Sequence, residues 1–502
     1  MGQNQDRTRE VPAAGGRVGT VGRSRRLAVN TLALTMGKLL SKVLVFFMVR
    51  LYTWVLTDAQ YGTADLITNL CNLLIPVACA GLSQGFFRFV ADADGDRERS
   101  QVFSSGLCVL CGAGTLFALL SPLFFFSRIF SPYVALILVY VLVANLHYFV
   151  SEFIRGMGKY RLYAVQGVLN TLLNIALNLL FLLPMGLRVE GYVLAIVGAD
   201  FLTSVFLIGY ARLWRYIRPG AADRQMMRAI RRYCVPLIPM AICWWITGVS
   251  DRYMVTWIVG AGENGLYTAA YKIPNLLTVA CGVFMDAWQF SAVLENRSAG
   301  PSEVAEERRR RRQAVSSFFS KVYRGYMAFL FLGCAALILL YRPLARVMFD
   351  ASFAGAEKYI PLLLTATLFS ALGNFVGSAY MVEKRSINAF WTAMIGAVLN
   401  IALNAVLIPV YGAMGAAVAT LIAYLAVLLI RLVDAYRSVP FRRYWLCFGV
   451  NSALLLALAV LATREVRWVW WLLPSAGLTF LNVPSLMRNG MQWWRQRHAA
   501  HS

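Results

Sequence analysis

The sequence predicts an all-α polytopic membrane protein, with fourteen transmembrane helices arranged as two parallel six-helix repeats followed by a C-terminal helix pair. The first observation behind this is compositional: 59% of the 502 residues are hydrophobic and 14% are charged, with a mean hydropathy of +0.60. A soluble chain of this size could not hide so much apolar surface behind so few charges. The second is run length, since many stretches approach the ~20 apolar residues that carry a helix across a bilayer. The third is self-similarity. Leu173–Asn178 reads Leu-Asn-Ile-Ala-Leu-Asn and returns as Leu399–Asn404, an offset of 226 that also pairs Leu146, Phe149 and Val150 with Leu372, Phe375 and Val376, and Tyr133 with Tyr359. Thr53-Trp54 with Gly62 returns as Thr256-Trp257 with Gly265, at an offset of 203. Duplicated halves are a common way for transporters to build a cavity that opens alternately to each side.

Taken in order, residues 1–26 are rich in Gly and Arg without periodicity and predict a disordered cytoplasmic tail. Spans are expected near 28–49, 62–87, 102–126, 133–154, 163–184 and 190–211, which make residues 27–211 the first half. Residues 212–232, with seven Arg, form a basic cytoplasmic linker. Spans near 233–257, 265–290, 317–340, 359–382, 388–409 and 412–432 make residues 233–433 the second half. Residues 434–502 hold two further spans, near 446–463 and 468–486, and a tail whose Trp493–Arg497 suits an interfacial anchor.

Fourteen spans put both termini on one side. With the N-terminus inside, most of the 48 Lys and Arg residues fall in cytoplasmic segments, the charge bias that orients membrane proteins. The net charge of +24 therefore reports orientation, and Arg308–Arg312 reads as a solvated loop rather than a nucleic-acid surface. The cysteines, among them Cys71, Cys79, Cys243, Cys281 and Cys334, lie mostly in apolar spans. Cys108 and Cys111 form a CxxC with no second pair and no nearby His, so buried small hydrophobes are expected rather than metal or redox sites. Ser24-Arg25-Arg26 hints at a twin-arginine signal, but the span behind it is long and carries two lysines, which predicts a retained first helix.

No soluble catalytic constellation and no nucleotide-binding loop is present, which argues against an enzyme, a resident cofactor and an ATP-driven pump. Attention moves to ionisable residues inside spans. Thr31, Thr35, Lys38 and Lys42 share one face of the first span, and Arg50 extends this basic line. Asp65, Asn69, Asn72, Pro76, Cys79 and Ser83 make a stripe on the second; Lys272, Asn275, Gly282 and Asp286 make one on the eighth. Such stripes line a hydrated cavity or form buried ion pairs. Glu152 and Asp200 are lone acids, each with a coupling or an ion-pair reading, and Asp251-Arg252 are expected to satisfy each other. Asn174 with Asn178, and Asn400 with Asn404, lie one turn apart and read as interhelical glue more readily than as substrate contacts. Pro236, Pro239, Pro274, Gly81 and Gly85 are candidate bending points. Moving an anion through the bilayer needs its charge compensated, and phosphate suits Lys as a point charge and Arg as a fork. Bases clustered on the first span therefore favour an anionic head group.

Three phrases carry a family likeness: Leu56-Thr57-Asp58-Ala59-Gln60-Tyr61-Gly62; Asp251-Arg252-Tyr253 through Gly265-Leu266-Tyr267-Thr268-Ala269-Ala270-Tyr271-Lys272-Ile273; and Asn400–Asn404 running on through Pro409-Val410-Tyr411-Gly412 to Thr420. With these the chain resembles the Wzx-type polysaccharide flippases, in the superfamily of multidrug, oligosaccharidyl-lipid and polysaccharide exporters. The resemblance implies a V-shaped bundle in a bacterial inner membrane that flips polyprenyl-pyrophosphate-linked oligosaccharide to the outer leaflet by alternating access. Partner polymerase and glycosyltransferases would serve the same surface polysaccharide. It also implies that cavity bases, here Lys38, Lys42, Arg50 and Lys272, meet the pyrophosphate, with Asp65, Asn69, Asn72, Glu152, Asp200 and Asp286 as coupling or polar cavity residues. The nearest alternatives are a lipid II flippase and a cation-coupled multidrug exporter.

Overall fold

The computed structural model describes residues 48–127, 129–296, 305–382, 386–438, 441–464 and 466–499. Every regular element among these residues is helical, as expected where hydrocarbon offers no water and backbone groups must be paired within their own segment. A helical segment over 48–55 leads into α1 (Asp58–Ala78), α2 (Leu82–Ala91), α3 (Gly95–Leu120), α4 (Val134–Gly156), α5 (Tyr160–Leu182) and α6 (Val189–Tyr210). Then follow α7 (Arg224–Cys234), α8 (Ile238–Ile258), α9 (Ala261–Ala270), α10 (Lys272–Asn296), α11 (Ala305–Met348) and α12 (Ile360–Val382). The chain closes with α13 (Ser386–Tyr411), α14 (Ala413–Ser438), α15 (Trp445–Thr463) and α16 (Leu472–Ala499).

Among the described residues nine helices are long and apolar enough to cross a bilayer, or up to eleven if each of two bent pairs is one span. The chain is thus an all-α polytopic membrane protein, and the reasons for the shortfall from fourteen are local. Most of the expected first span lies outside the described residues. The expected eighth is divided at Tyr271 between α9 and α10, leaving Lys272–Met285 as a short apolar stretch. The expected last span straddles a 3₁₀ turn, Trp468–Trp471, and the start of α16.

Local sequence explains the element ends that position the site. Thr57 opens α1 with a reciprocal cap: its hydroxyl accepts from the Gln60 N–H at 3.3 Å, and the Gln60 side chain accepts from the Thr57 N–H at 3.1 Å. Between α1 and α2 the path bends by 47° through Ala80 (φ 51°) and Gly81 (φ 76°). Gly81 is needed twice over there, because a Cβ would also collide with the Cys234 carbonyl. The second bent pair, Arg224–Cys243 with Trp245–Ile258, turns by 45°, beyond Pro236 and Pro239.

The basic linker is more than a tether. Asp223 caps α7 by accepting from the Gln225 and Met226 N–H groups at 3.1 and 3.0 Å. Met226, Ile230 and Cys234 then recur every fourth residue, and Ile230 and Cys234 are buried in a cluster with Cys79, Leu82 and Phe86 of the first half. Arg224, Arg228, Arg231 and Arg232 stay exposed. A second first-half cluster packs α1 on α4 and α6 through Ile67, Cys71, Ile137, Val141 and Val193. The largest cluster gathers the second half and Met48–Tyr61. Outward-facing apolar side chains such as Phe480, 80% exposed, have hydrocarbon as their solvent.

Candidate functional site: a polar seam between the halves

Asp251 and Arg252 adjoin on α8, and the expectation that they satisfy each other does not hold. Successive helical residues point about 100° apart and do not face one another. Only the Arg252 backbone N–H reaches the Asp251 carboxylate, at 2.9 Å. The Arg252 guanidinium crosses instead to Asp65 on α1, one nitrogen donating to both carboxylate oxygens at 2.9 and 2.8 Å. Asp65 also accepts from the Asn69 amide at 2.9 Å and the Thr268 hydroxyl at 3.1 Å. Asp251, 3% exposed, accepts from Tyr267 at 2.8 Å, Tyr271 at 3.2 Å and Thr420 at 3.3 Å. Each buried carboxylate is therefore ringed by donors, as burial of a charge demands.

The backbones meet where these side chains do. A Cβ on Gly62 would collide with the Ala261 carbonyl and lie 2.9 Å from the Gly265 nitrogen; one on Gly265 would collide with the Asp58 carbonyl. Gly62 and Gly265 are repeat partners at the offset of 203, and the same offset relates Asp65 to Thr268. Equivalent residues of the two copies thus touch each other, as they do across a two-fold axis. Trp54 and Trp257, repeat partners as well, are 65% and 67% exposed. The second and third family phrases run through this seam, and the first supplies the cap and the glycine.

The polar network continues into the second half. The Asn400 amide donates to Thr420 at 3.3 Å, Ser250 donates to the Asn400 carbonyl oxygen at 3.4 Å, and Asn404 donates to that oxygen at 2.9 Å. In the first half the Asn178 amide donates to the Asn174 side-chain oxygen at 3.0 Å. The duplicated pairs therefore make the same one-turn bond, and the second-half copy also bridges to α8 and α14.

Lys272 begins α10 beside this seam, its Nζ 5.7 Å from the centre of the Tyr61 ring and without a carboxylate partner among the described residues. The Tyr61 hydroxyl and the Arg252 Nε are buried and also lack a partner among them. Arg50 sits at the rim instead: it pairs with Asp350 at 3.4 Å and donates to the Phe349 carbonyl. Asn69 belongs to the seam, while Asn72, one turn on, is exposed. Glu152 pairs with Arg155 at 3.1 Å, whose guanidinium covers Phe87. Asp200 accepts from Asn170 at 2.8 Å, near the 3.4 Å contact of Ser204 with His147. Lys38, Lys42 and the Asp286 side chain lie outside the described residues. Among the described residues there is no group of three His, Cys, Asp or Glu able to hold a metal ion. What periodicity missed is Arg252 as a cross-half residue, since its partner lies 187 positions away.

The described residues thus form a helical membrane bundle whose sequence-related halves meet on a buried polar seam. A comparison with family models agrees: residues 27–288, just over half of the chain, match polysaccharide biosynthesis protein. The chain belongs to that family, within the flippase superfamily that includes the Wzx-type proteins, and its apolar helices make it a multi-pass membrane protein. No curated protein matches it. Among solved structures it is similar to lipid II flippase MurJ in an inward closed conformation, with a TM-score of 0.64 and 14% identity over 93% of this chain and 99% of that one. An inward-facing MATE family transporter of the MOP superfamily gives 0.63 and 16%, over 82% and 98%. A MOP superfamily transporter from Pyrococcus furiosus, whose binding pocket is described as reversed in polarity, gives 0.56 and 16%, over 83% and 95%. At these identities the likeness concerns the fold.

Proposed function

We propose that this protein flips polyprenyl-pyrophosphate-linked oligosaccharide from the inner to the outer leaflet by alternating access, for assembly of a cell-surface polysaccharide. The observation that carries the reading beyond family membership is Lys272, a cation at the seam without a carboxylate partner among the described residues, its Nζ 5.7 Å from the Tyr61 ring centre, in a seam that also holds two donors unpaired among those residues, the Tyr61 hydroxyl and Arg252 Nε. A transported anion needs such groups, while a cationic drug would need acids left free of bases. On this reading Lys38, Lys42 and Arg50 complete the basic wall, and Asp65, Asn69, Asn72, Glu152, Asp200 and Asp286 form its polar or coupling complement. Residues 27–211 and 233–433 form six-span lobes that rock about the glycine seam, linked by residues 212–232. Residues 434–502 add a helix pair and a tail, bringing the spans to fourteen with both termini cytoplasmic. The head group enters from the cytoplasm while the lipid chain stays in the bilayer.

The test is a deletion strain complemented in trans. Accumulation of lipid-linked oligosaccharide with loss of surface polysaccharide supports the proposal; accumulation of lipid II with cell-wall failure would assign the peptidoglycan precursor instead. Lys38→Ala and Lys42→Ala are each expected to abolish surface polysaccharide at near-normal protein levels, with Lys→Arg retaining part of it. Wild-type polysaccharide in both alanine variants would remove these lysines from the mechanism.

A further inference from the structure

Three apolar helices end at one place: Ser316 opens a candidate span, Tyr436 closes another and Trp445 opens a third. Between them lies an open cavity of ≈ 690 Å³, whose lining includes Ser320, Tyr436, Arg442, Arg443, Tyr444 and Trp445. Because the span ends converge here, the cavity sits at the level where hydrocarbon gives way to head groups. Its chemistry divides accordingly. Trp445 and Leu446 are exposed toward the outside of the bundle, Leu446 by 84%.

Toward the polar side stand two guanidinium groups, and neither Arg442 nor Arg443 has a carboxylate partner among the described residues. Aromatic rings hold them instead. The Arg443 Cζ lies 4.1 Å from the Tyr436 ring centre and 5.2 Å from that of Trp445, and the Arg442 Cζ lies 5.5 Å from Tyr444. Stacking fixes the plane of a guanidinium while leaving its N–H edge free. Tyr444 (φ 49°) turns the chain sharply into α15, whose first turn has no side-chain cap, so its leading N–H groups are open to an acceptor. Ser320 steadies the approach by accepting from the Arg442 N–H at 2.9 Å.

We propose that this cavity binds the phosphate of an anionic phospholipid from the adjacent leaflet, with Arg442 and Arg443 on the phosphate and Trp445 and Leu446 against the glycerol and upper acyl chain. The site is separate from the seam and takes a resident membrane lipid rather than the cargo. Two cations unpaired among the described residues, in a cavity large enough for a head group, account for selectivity by charge, and the aromatic rim accounts for its depth.

The experiment uses the full-length protein in mild detergent, delipidated and titrated with phosphatidylglycerol, phosphatidylcholine or undecaprenyl phosphate, with bound lipid read by native mass spectrometry. Wild type is expected to keep phosphatidylglycerol at least five-fold more than phosphatidylcholine. Arg442→Gln with Arg443→Gln should lose that preference, Arg442→Lys with Arg443→Lys should keep part of it, and Arg224→Gln with Arg228→Gln, on the exposed face of α7, should leave it unchanged. Equal phosphatidylglycerol retention by the double glutamine variant overturns the proposal. So does undecaprenyl phosphate displacing phosphatidylglycerol from wild type, which would give the cavity to the transported lipid. A matching thermal unfolding midpoint for the glutamine and lysine variants separates loss of lipid from loss of fold.

Discussion

At the residue scale the molecule turns on how two adjacent charges are shared out. Asp65 and Arg252 are both nearly buried and meet across the halves, so removing either leaves a charge without compensation, at a cost of about 3–5 kcal/mol. Asp65→Asn should therefore lower the unfolding midpoint of the detergent-solubilised protein sharply, while exchanging the two, Asp65→Arg with Arg252→Asp, should restore part of it. A swap no better than the single change would show that the pair matters only through Asn69 and Thr268. Lys272 makes the opposite case, a charge kept free of any carboxylate among the described residues. Lys272→Ala should leave the midpoint within a degree or two and abolish export of surface polysaccharide, and Lys272→Arg should retain part of the export. Lys272 was legible as an ionisable residue within a span, and so was Asp65. Their surroundings were not, because a helix-face count says which residues share a stripe and nothing about the helix opposite. Arg252 had an acid beside it in sequence, and that proximity suggested the wrong partner.

At the element scale the duplication proved the better guide. Its offset of 203 already contained the contact of Gly62 with Gly265, since copies that pack about a two-fold axis bring equivalent residues together. A methyl on Gly265 would strike the Asp58 carbonyl, and these helices pack their cores too tightly to yield for it. Gly265→Ala should consequently hold the halves apart at this end. With a cysteine placed at Thr268, which is 1% exposed, a membrane-impermeant maleimide added outside should label the Gly265→Ala protein at least ten-fold faster than the protein with Gly265 intact. Equal rates would mean that the seam does not open there. The linker is the element the composition concealed. Its seven Arg dominate the reading of residues 212–232, yet Met226, Ile230 and Cys234 recur at the helical spacing that docks α7 on the first half. The Asp223 carboxyl is held below its ordinary range by the Gln225 and Met226 N–H groups it accepts from. Since the folded value is the lower one, the cap contributes fully above the unfolded value near 3.9 and is lost as pH falls through the folded value. Hydrogen exchange at Gln225 and Met226, corrected for its intrinsic pH dependence, should accelerate only below about pH 4 in the wild type. It should be several-fold faster at neutral pH in Asp223→Ala, and near wild type in Asp223→Asn, which can still accept.

At the scale of the whole molecule the contacts sort the loops into two ends without reference to a membrane. Arg50 with Asp350, Lys358 with Glu263, and the Tyr52 ring with that of Tyr192 gather at one end. Ser104 with Tyr216, Gln101 with Asp223, and Ser320 with Arg442 gather at the other. The second end carries the arginines of residues 212–232 and Arg442-Arg443, and basic loops stay in the cytoplasm. Alkaline phosphatase fused after residue 186 or 354 should therefore be active, and fused after 221 or 441 inactive. If the fusions place that second end in the cytoplasm, the direction in which the membrane potential acts follows. With the inside negative, each negative charge moved outward gains about 2.3 kcal/mol per 100 mV, a factor of roughly fifty in the equilibrium ratio between leaflets. If the head group crosses as a net anion, collapsing the potential at constant pH should slow appearance of the lipid-linked oligosaccharide in the outer leaflet, and Lys272→Ala should not restore it. A rate indifferent to the potential would require the carried charge to be cancelled during the crossing. Asp65 is held by Arg252 and Glu152 by Arg155, so neither could supply the counter-movement, and Asp200 or Asp286 would have to.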